Sequence, residues 1–276
     1  MSALAAYALG VALPMVLLRR KFGLRFIGLT GGIASGKSAT SSYLSSPPHS
    51  FPLIDFDLIA REVVTPGHRT GALDKIVRVF GEGVLKEPAA DSTSDAPRTL
   101  DRTKLGALIF SNPAARSKLN SLMRVPIWST FLLHSCDLFF RRGARTILID
   151  VPLLFEVGLN RICDESIVVR VSPEVQSARL QARDTIAAQE AQAKINAQWS
   201  LDKKAALADV VIDNDGSLAQ LQAKLDGWAE AERRREARKA QWTSWRGWVP
   251  TVPAILAGLI LAPLSVAITA WIRSAL

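Results

Sequence analysis

Largely apolar residues fall in short runs at 26–29, 51–54, 146–149, 166–171 and 208–212, with Arg170 and Asp209 the charged residues inside them. Runs of that length read as buried strands. Between them lie stretches of helical character. One follows the first strand directly, a second covers 58–64, and a long amphipathic one runs from 70 to about 140, broken by the polar insert 87–97. Ser172-Pro173-Glu174 opens a further helix, with Ser172 as cap and Pro173 at the first helical position. Another helix carries Lys194 and ends near Gln198. The pattern is five strands alternating with helices.

Two apolar stretches stand outside it. Residues 3–18 carry no charge, contain Pro14 and are followed by Arg19-Arg20-Lys21. The run is short for a membrane span, and no positive charge precedes it as in a secretory signal. Three readings stand: a weak N-terminal anchor, a targeting segment poor in acidic residues, or an extension outside the folded body. Residues 249–272 are uncharged and apolar, with Pro250, Pro253 and Pro263 inside. At ~1.5 Å per residue a helix of that length crosses a hydrocarbon core of ~30 Å. Trp242, Trp245 and Trp248 precede it at interfacial spacing. A membrane segment is expected here, either one helix or a hairpin bent near Pro263.

Charge sharpens that picture. The formal net charge is +9, and much of it sits in Arg19-Arg20-Lys21 and in 230–239, each flanking an apolar run. That placement suits membrane flanks rather than a stripe for nucleic acid, so no nucleic-acid partner is expected. The basic side should face the cytosol, leaving the domain there. Cys136 and Cys163 are far apart, and neither they nor His68 and His134 have metal-site spacing.

The chemistry concentrates after the first strand, in Gly31-Gly32-Ile33-Ala34-Ser35-Gly36-Lys37-Ser38 followed by Ala39. This is the G-x-x-x-x-G-K-S spacing of a phosphate-binding loop. Its glycines let successive N–H groups turn toward phosphate oxygens, and the following helix adds its positive end. Lys37 can reach the β- and γ-phosphates, and the Ser38 hydroxyl can ligate Mg²⁺. A nucleoside triphosphate is the implied ligand. Asp55 and Asp57 follow the second strand, with Arg61 one helical turn on. There a carboxylate can orient or deprotonate an acceptor, or cap the helix. Asp150, ending the third strand, either holds the Mg²⁺ shell, orients Lys37 or caps a turn. Arg179 and Arg183 share a helix face, and with Lys194 they suit a lid that neutralises charge on a transferring phosphoryl group.

Together these stretches resemble the dephospho-coenzyme A kinase family from about Phe26 to Trp228. The motifs that carry the resemblance are the run 27–38, Ile54-Asp-Phe-Asp-Leu-Ile-Ala-Arg-Glu-Val-Val64, Leu100-Asp-Arg102, Val151-Pro-Leu-Leu-Phe-Glu156, Arg179-Leu180 with Arg183-Asp184, and Ala208-Asp-Val-Val-Ile-Asp-Asn214. The resemblance implies an α/β P-loop kinase with a five-stranded parallel sheet, a helical acceptor-binding region and an arginine-bearing lid. It also implies transfer of the γ-phosphoryl of ATP to the ribose 3′-hydroxyl of dephospho-CoA. By position, Asp57 would be the base or orienter, with Asp55 and Arg61 on the acceptor. Arg179 and Arg183 would clamp phosphates, and Asn214 and Gly216 would border the adenine.

Four departures from the family pattern stand out. Ala39 replaces a usual Thr, Arg124-Val125 a usual His-Pro, and Lys194 a usual Arg, keeping charge without the bidentate fork. Both termini also extend beyond the compact bacterial pattern. The expected organisation is thus 1–24 as an extension, 25–229 as the kinase domain, 230–248 as a basic, Trp-bearing linker, and 249–272 in the membrane. Another small-metabolite P-loop kinase, or a membrane-bound nucleotide-binding regulator or scaffold, are the alternatives. A guanine-reading N-K-x-D is absent from the sequence, which removes a GTPase.

Overall fold

A computed structural model describes residues 23–87, 98–110 and 112–243, with side chains as far as 238. The two apolar terminal stretches, 3–18 and 249–272, lie outside the described residues, as does most of the polar insert. Among the described residues no helix is long and apolar enough to cross a membrane. Contacts divide the described chain into two units, one of residues 56–134 and one of 23–55 with 135–243.

The larger unit is a five-stranded sheet in the order β2-β3-β1-β4-β5. Its strands are β1 (Arg25–Gly31), β2 (Leu53–Asp55), β3 (Thr146–Asp150), β4 (Glu165–Arg170) and β5 (Val210–Asp213), all paired in parallel. β3 is buried at every position and β1 and β4 nearly so, which is why they read as largely apolar runs without alternation. The chain leaves β1 toward one side of the sheet and later crosses to the other, making the carboxyl end of β1 the switch point where α/β proteins place ligands. Register brings Leu29 beside Asp150 and Gly31 beside Val169, so the acid ending β3 lies next to the loop leaving β1.

Helix α1 (Lys37–Ser45) follows that loop. One core layer joins Ile27, Leu29, Leu148 and Ile167 of the sheet to Leu44 of α1 and to Leu221, Leu225 and Trp228. The last three belong to the C-terminal helix, Leu218–Thr243. Four residues past Trp228, Glu232 is fully buried; it accepts from Arg25 Nε at 2.7 Å and Thr146 Oγ1 at 3.0 Å. Glu165 accepts from Trp228 Nε1 at 2.8 Å and pairs with Arg25 and Arg235. A buried carboxylate needs such partners, so this network fixes the rotation and register of the helix against the strand beginnings. The domain boundary read at 229 therefore falls inside a helix whose next turn is still part of the body.

The smaller unit holds α2 (Phe56–Glu62), α3 (Ala72–Phe80), α4 (Arg102–Phe110) and the first part of α5 (Pro113–Arg142). The expected long helical stretch breaks at Gly81, whose φ of 82° ends α3, and continues through a 3₁₀ turn (Glu82–Val84). An antiparallel bridge, Leu85 to Leu100, then closes across the polar insert. Phe56, Trp128 and Phe131 pack ring against ring, with centroids 5.0–6.2 Å apart, and knit α2 to α5. Pro126 sits inside α5, directly after the exposed Arg124 and Val125.

The helices α6 (Pro173–Asp184), α7 (Ala188–Asn196), α8 (Leu201–Ala205) and α9 (Leu218–Thr243) complete the larger unit. Pro173 starts α6 as its position predicts. The expected cap does not form: the Ser172 hydroxyl donates instead to Asp215 Oδ1 at 3.0 Å. That carboxylate accepts from both the amide and the hydroxyl of Ser172, and these bonds hold it below the usual carboxylate range.

Candidate functional site

The loop between β1 and α1 is shaped by positions where side chains are not tolerated. Gly36 has φ 94°, and a Cβ there would stand 2.2 Å from Asn214 Nδ2. A Cβ on Gly31 would meet Ser35 Oγ at 2.4 Å. Gly36 also ends the loop at the start of α1, whose first turn carries no acidic residue and whose cap position has no side-chain hydrogen bond. The helix therefore presents its N–H groups and positive end to an anion. Ser38 and Ala39 are exposed in that turn, which leaves the Ser38 hydroxyl open to a ligand.

Lys37 forms an ion pair with Asp150. Asp150 is 4% exposed, and burial pushes its carboxyl above the ordinary range while the Lys37 ammonium opposes the shift. Of the readings open for Asp150 in the sequence, this geometry realises the one in which it orients the lysine. Asp55 belongs to β2 itself rather than to the turn beyond it, and it lies in register with Asp150. In the smaller unit, Asp57 and Arg61 are four residues apart on α2 and both exposed, so they share an open face.

A cavity of about 450 Å³ opens over the loop, lined by residues 32–38, Pro152, Arg179, Arg183 and Gln198. The two arginines expected in a lid thus do reach the phosphate loop. Arg179 Nη2 donates to the Gly216 carbonyl at 3.4 Å. Arg183 pairs with Asp184 at 2.8 Å, which raises the guanidinium and holds the carboxyl low. Lys194 meets Asp184 at 3.5 Å and Glu190 at 3.1 Å and is not part of the cavity wall. Asn214 is buried and donates from Nδ2 to the Ser35 carbonyl at 2.9 Å, so its side chain supports the loop from behind. Gly216 lies on the same side, as the acceptor for Arg179.

Three supporting residues escape a reading of the sequence. Gln176 on α6 donates to the Ile33 carbonyl at 2.9 Å, and Gln198 accepts from the Ile33 amide at 3.1 Å. Lys204 on α8 is fully buried, with Nζ 3.2 Å from the Gly31 carbonyl, 2.8 Å from the Pro152 carbonyl and 2.9 Å from Glu156 Oε1. It braces the loop entrance against the β3 exit. The sequence pattern around it, Leu201-Asp-Lys-Lys-Ala205, reads as an ordinary polar helix and carries no sign of this. Removing one partner of a buried pair leaves an uncompensated charge, and Glu156 Oε2 is already buried without a partner. Lys204→Ala is expected to cost about 3–5 kcal/mol of stability, read as a lowered urea midpoint.

A central strand running into a glycine-wrapped lysine, an acid on the neighbouring strand and arginines over the loop define a P-loop phosphotransferase. Comparison with known proteins narrows the class. Residues 25–220 match the family model described as dephospho-CoA kinase. A dephospho-CoA kinase of Oceanobacillus iheyensis is 40% identical over 200 residues, covering 72% of this chain and 94% of the relative. One from Bacillus licheniformis is 42% identical over 211 residues, covering 75% and 98%. The crystal structure of TT1252 from Thermus thermophilus superposes with a TM-score of 0.57 at 27% identity, covering 81% of this chain and 99% of the other. The chain belongs to the dephospho-CoA kinase family.

Proposed function

We propose that the protein transfers the γ-phosphoryl group of ATP to the ribose 3′-hydroxyl of dephospho-CoA, giving coenzyme A and ADP. The observation that carries this reading is the cavity in which the phosphate loop, Lys37, Arg179 and Arg183 converge, in a chain of this family. Phosphoryl transfer needs little covalent chemistry from the protein; it needs positioning and charge stabilisation. The N–H groups of 32–38 and the start of α1 hold the phosphate chain. Lys37, steered by Asp150, meets the β,γ-bridge and the γ-phosphate. Arg179 and Arg183 take up charge on the equatorial oxygens, exchanging their present partners, Gly216 and Asp184, for phosphate. Asp57 orients the acceptor hydroxyl and accepts its proton, and Asp55 and Arg61 contact the acceptor.

Mg²⁺ fits these residues. An exposed hydroxyl at Ser38 and a carboxylate at the end of β3 suit an ion held mainly by phosphates and water. Among the described residues no cluster of three or more acidic, His or Cys ligands is found. Bound there, Mg²⁺ would offset charge on the β- and γ-phosphates. Turnover with ATP, Mg²⁺ and dephospho-CoA, set against adenylate, shikimate and gluconate as acceptors, tests the assignment. Hydrolysis of ATP with no acceptor phosphorylated would favour the regulator or scaffold.

Residues 249–272 are read as a membrane anchor, with the kinase domain on the cytosolic face. What supports this is sequence alone: an uncharged run of spanning length behind three tryptophans and a basic cluster. Deleting residues from 249 onward is expected to move active protein from the membrane pellet to the supernatant with kcat unchanged. Truncated protein that stays in the pellet would shift the anchor to the N-terminal run or to the body.

A further inference from the structure

The amide and the carbonyl of one loop residue, Ile33, are each held by a side-chain amide. The Ile33 carbonyl accepts from Gln176 Nε2 at 2.9 Å, and the Ile33 amide donates to Gln198 Oε1 at 3.1 Å. The second bond settles how the Gln198 amide is turned. A backbone N–H can be met only by the oxygen, so Nε2 and its two hydrogens must point the other way. Gln198 lines the cavity together with Lys37, Arg179 and Arg183. Among the described residues no acceptor meets its Nε2.

The backbone around Gln198 is held in place. Its own amide donates to the Ile195 carbonyl at 3.1 Å, and the Trp199 amide donates to Glu156 Oε1 at 3.4 Å. The Trp199 ring carries the Lys203 ammonium 3.4 Å from its centroid. Glu156 in turn pairs with the buried Lys204 that braces the loop. The amide is therefore preorganised: its oxygen is spent on the loop, and its two donors are without an acceptor among the described residues, in a side chain that lines the cavity.

We propose that Gln198 is a phosphate-contacting residue that donates from Nε2 to the γ-phosphoryl group, a neutral donor completing the ring of cations. The proposal rests on the nucleotide reading of the cavity, though not on the identity of the acceptor. The three cationic groups on this wall already share their donors with Asp150, the Gly216 carbonyl and Asp184. Among the described residues Gln198 Nε2 shares its donors with none. A donor already aimed where charge develops acts without reorganisation.

Two variants separate this role from a structural one. Gln198→Ala removes both the acceptor for Ile33 and the donors, whereas Gln198→Glu keeps the acceptor and replaces the donors with a negative charge. Affinity is measured for ADP and for the non-hydrolysable β,γ-imido analogue of ATP. Both variants should lose about tenfold in preference for the triphosphate, the size of one hydrogen bond to a charged group, with ADP affinity within about twofold of wild type. In the dephospho-CoA assay kcat should fall about 100-fold in both. The inference is overturned if Gln198→Glu keeps the wild-type preference, because the residue would then serve only to hold Ile33. Equal losses for ADP and the triphosphate analogue, or an unchanged ratio in both variants, overturn it as well. Wild-type protein that binds the triphosphate but never phosphorylates dephospho-CoA would end the acceptor assignment alone, since the binding ratio still decides Gln198.

Discussion

Lys37→Ala is expected to lower kcat for phosphoryl transfer by about 10³-fold, with a much smaller change in stability. In the proposed reaction the ammonium follows charge from the γ-phosphate toward the β,γ-bridge. The substitution also acts on its partner. Burial already raises the Asp150 carboxyl, and Lys37 opposes that shift; without the lysine, the carboxyl should rise further above its ordinary range. A carboxyl that protonates more readily limits the structural damage, so the urea midpoint should move far less than the rate. Lys37→Arg keeps the charge but replaces a compact ammonium with a planar fork in a tight loop, and should remain well below wild type. A rate for Lys37→Ala within tenfold of wild type would remove the lysine from the mechanism.

Asp57→Asn is the second large effect. It should reduce kcat by about 10²–10⁴-fold, the range for a positioned general base, while ATP affinity stays within about twofold. Asp57 is exposed in the first turn of α2, and Arg61 lies one turn further on the same face. An acceptor hydroxyl oriented there gains a proton sink from Asp57, and the amide of asparagine supplies similar shape without basicity. Single-turnover measurement of transfer beside equilibrium ATP binding separates the two quantities. Weaker ATP binding at normal turnover would reverse the assignment, making Asp57 a nucleotide-side residue.

The strands and the loop were legible because their signals are local. Each strand run lies within two residues of an observed strand, as with 146–149 against Thr146–Asp150. For β1, β3 and β4 the reason is that a parallel strand buried on both faces is apolar almost throughout, whereas the edge strands β2 and β5 are only partly buried. Boundaries moved where polar chemistry decided them: Asp55 and Asp213 close their strands as paired positions although their side chains are acidic. The sequence of 70–140 reads as one amphipathic helical segment with an insert. Its break at Gly81 and the Leu85–Leu100 bridge depend on contacts across the insert, which periodicity does not register. Ser172 and Pro173 look like a helix start and are one, yet the hydroxyl goes to Asp215, from a segment more than forty residues away.

The site divides along the same line. Residues 31–38, Arg179 and Arg183, and the acceptor-side candidates Asp57 and Arg61, could be picked out from the sequence because their spacing along the chain is itself the chemical requirement: consecutive amides for a phosphate, one helical turn between paired groups. Gln176, Gln198, Lys204 and the supporting role of Asn214 could not. They reach Ile33, Gly31 and Ser35 from 143 to 179 residues away, and a glutamine or lysine on a polar helix looks the same whether it faces water or a loop. By itself the sequence determined the family, the phosphate-binding turn and the order of strands and helices, since each depends on residues that are near neighbours. Only tertiary structure decided which side chains hold that turn in shape, because their partners meet solely where the sheet, α6, α8 and the connection after α7 come together.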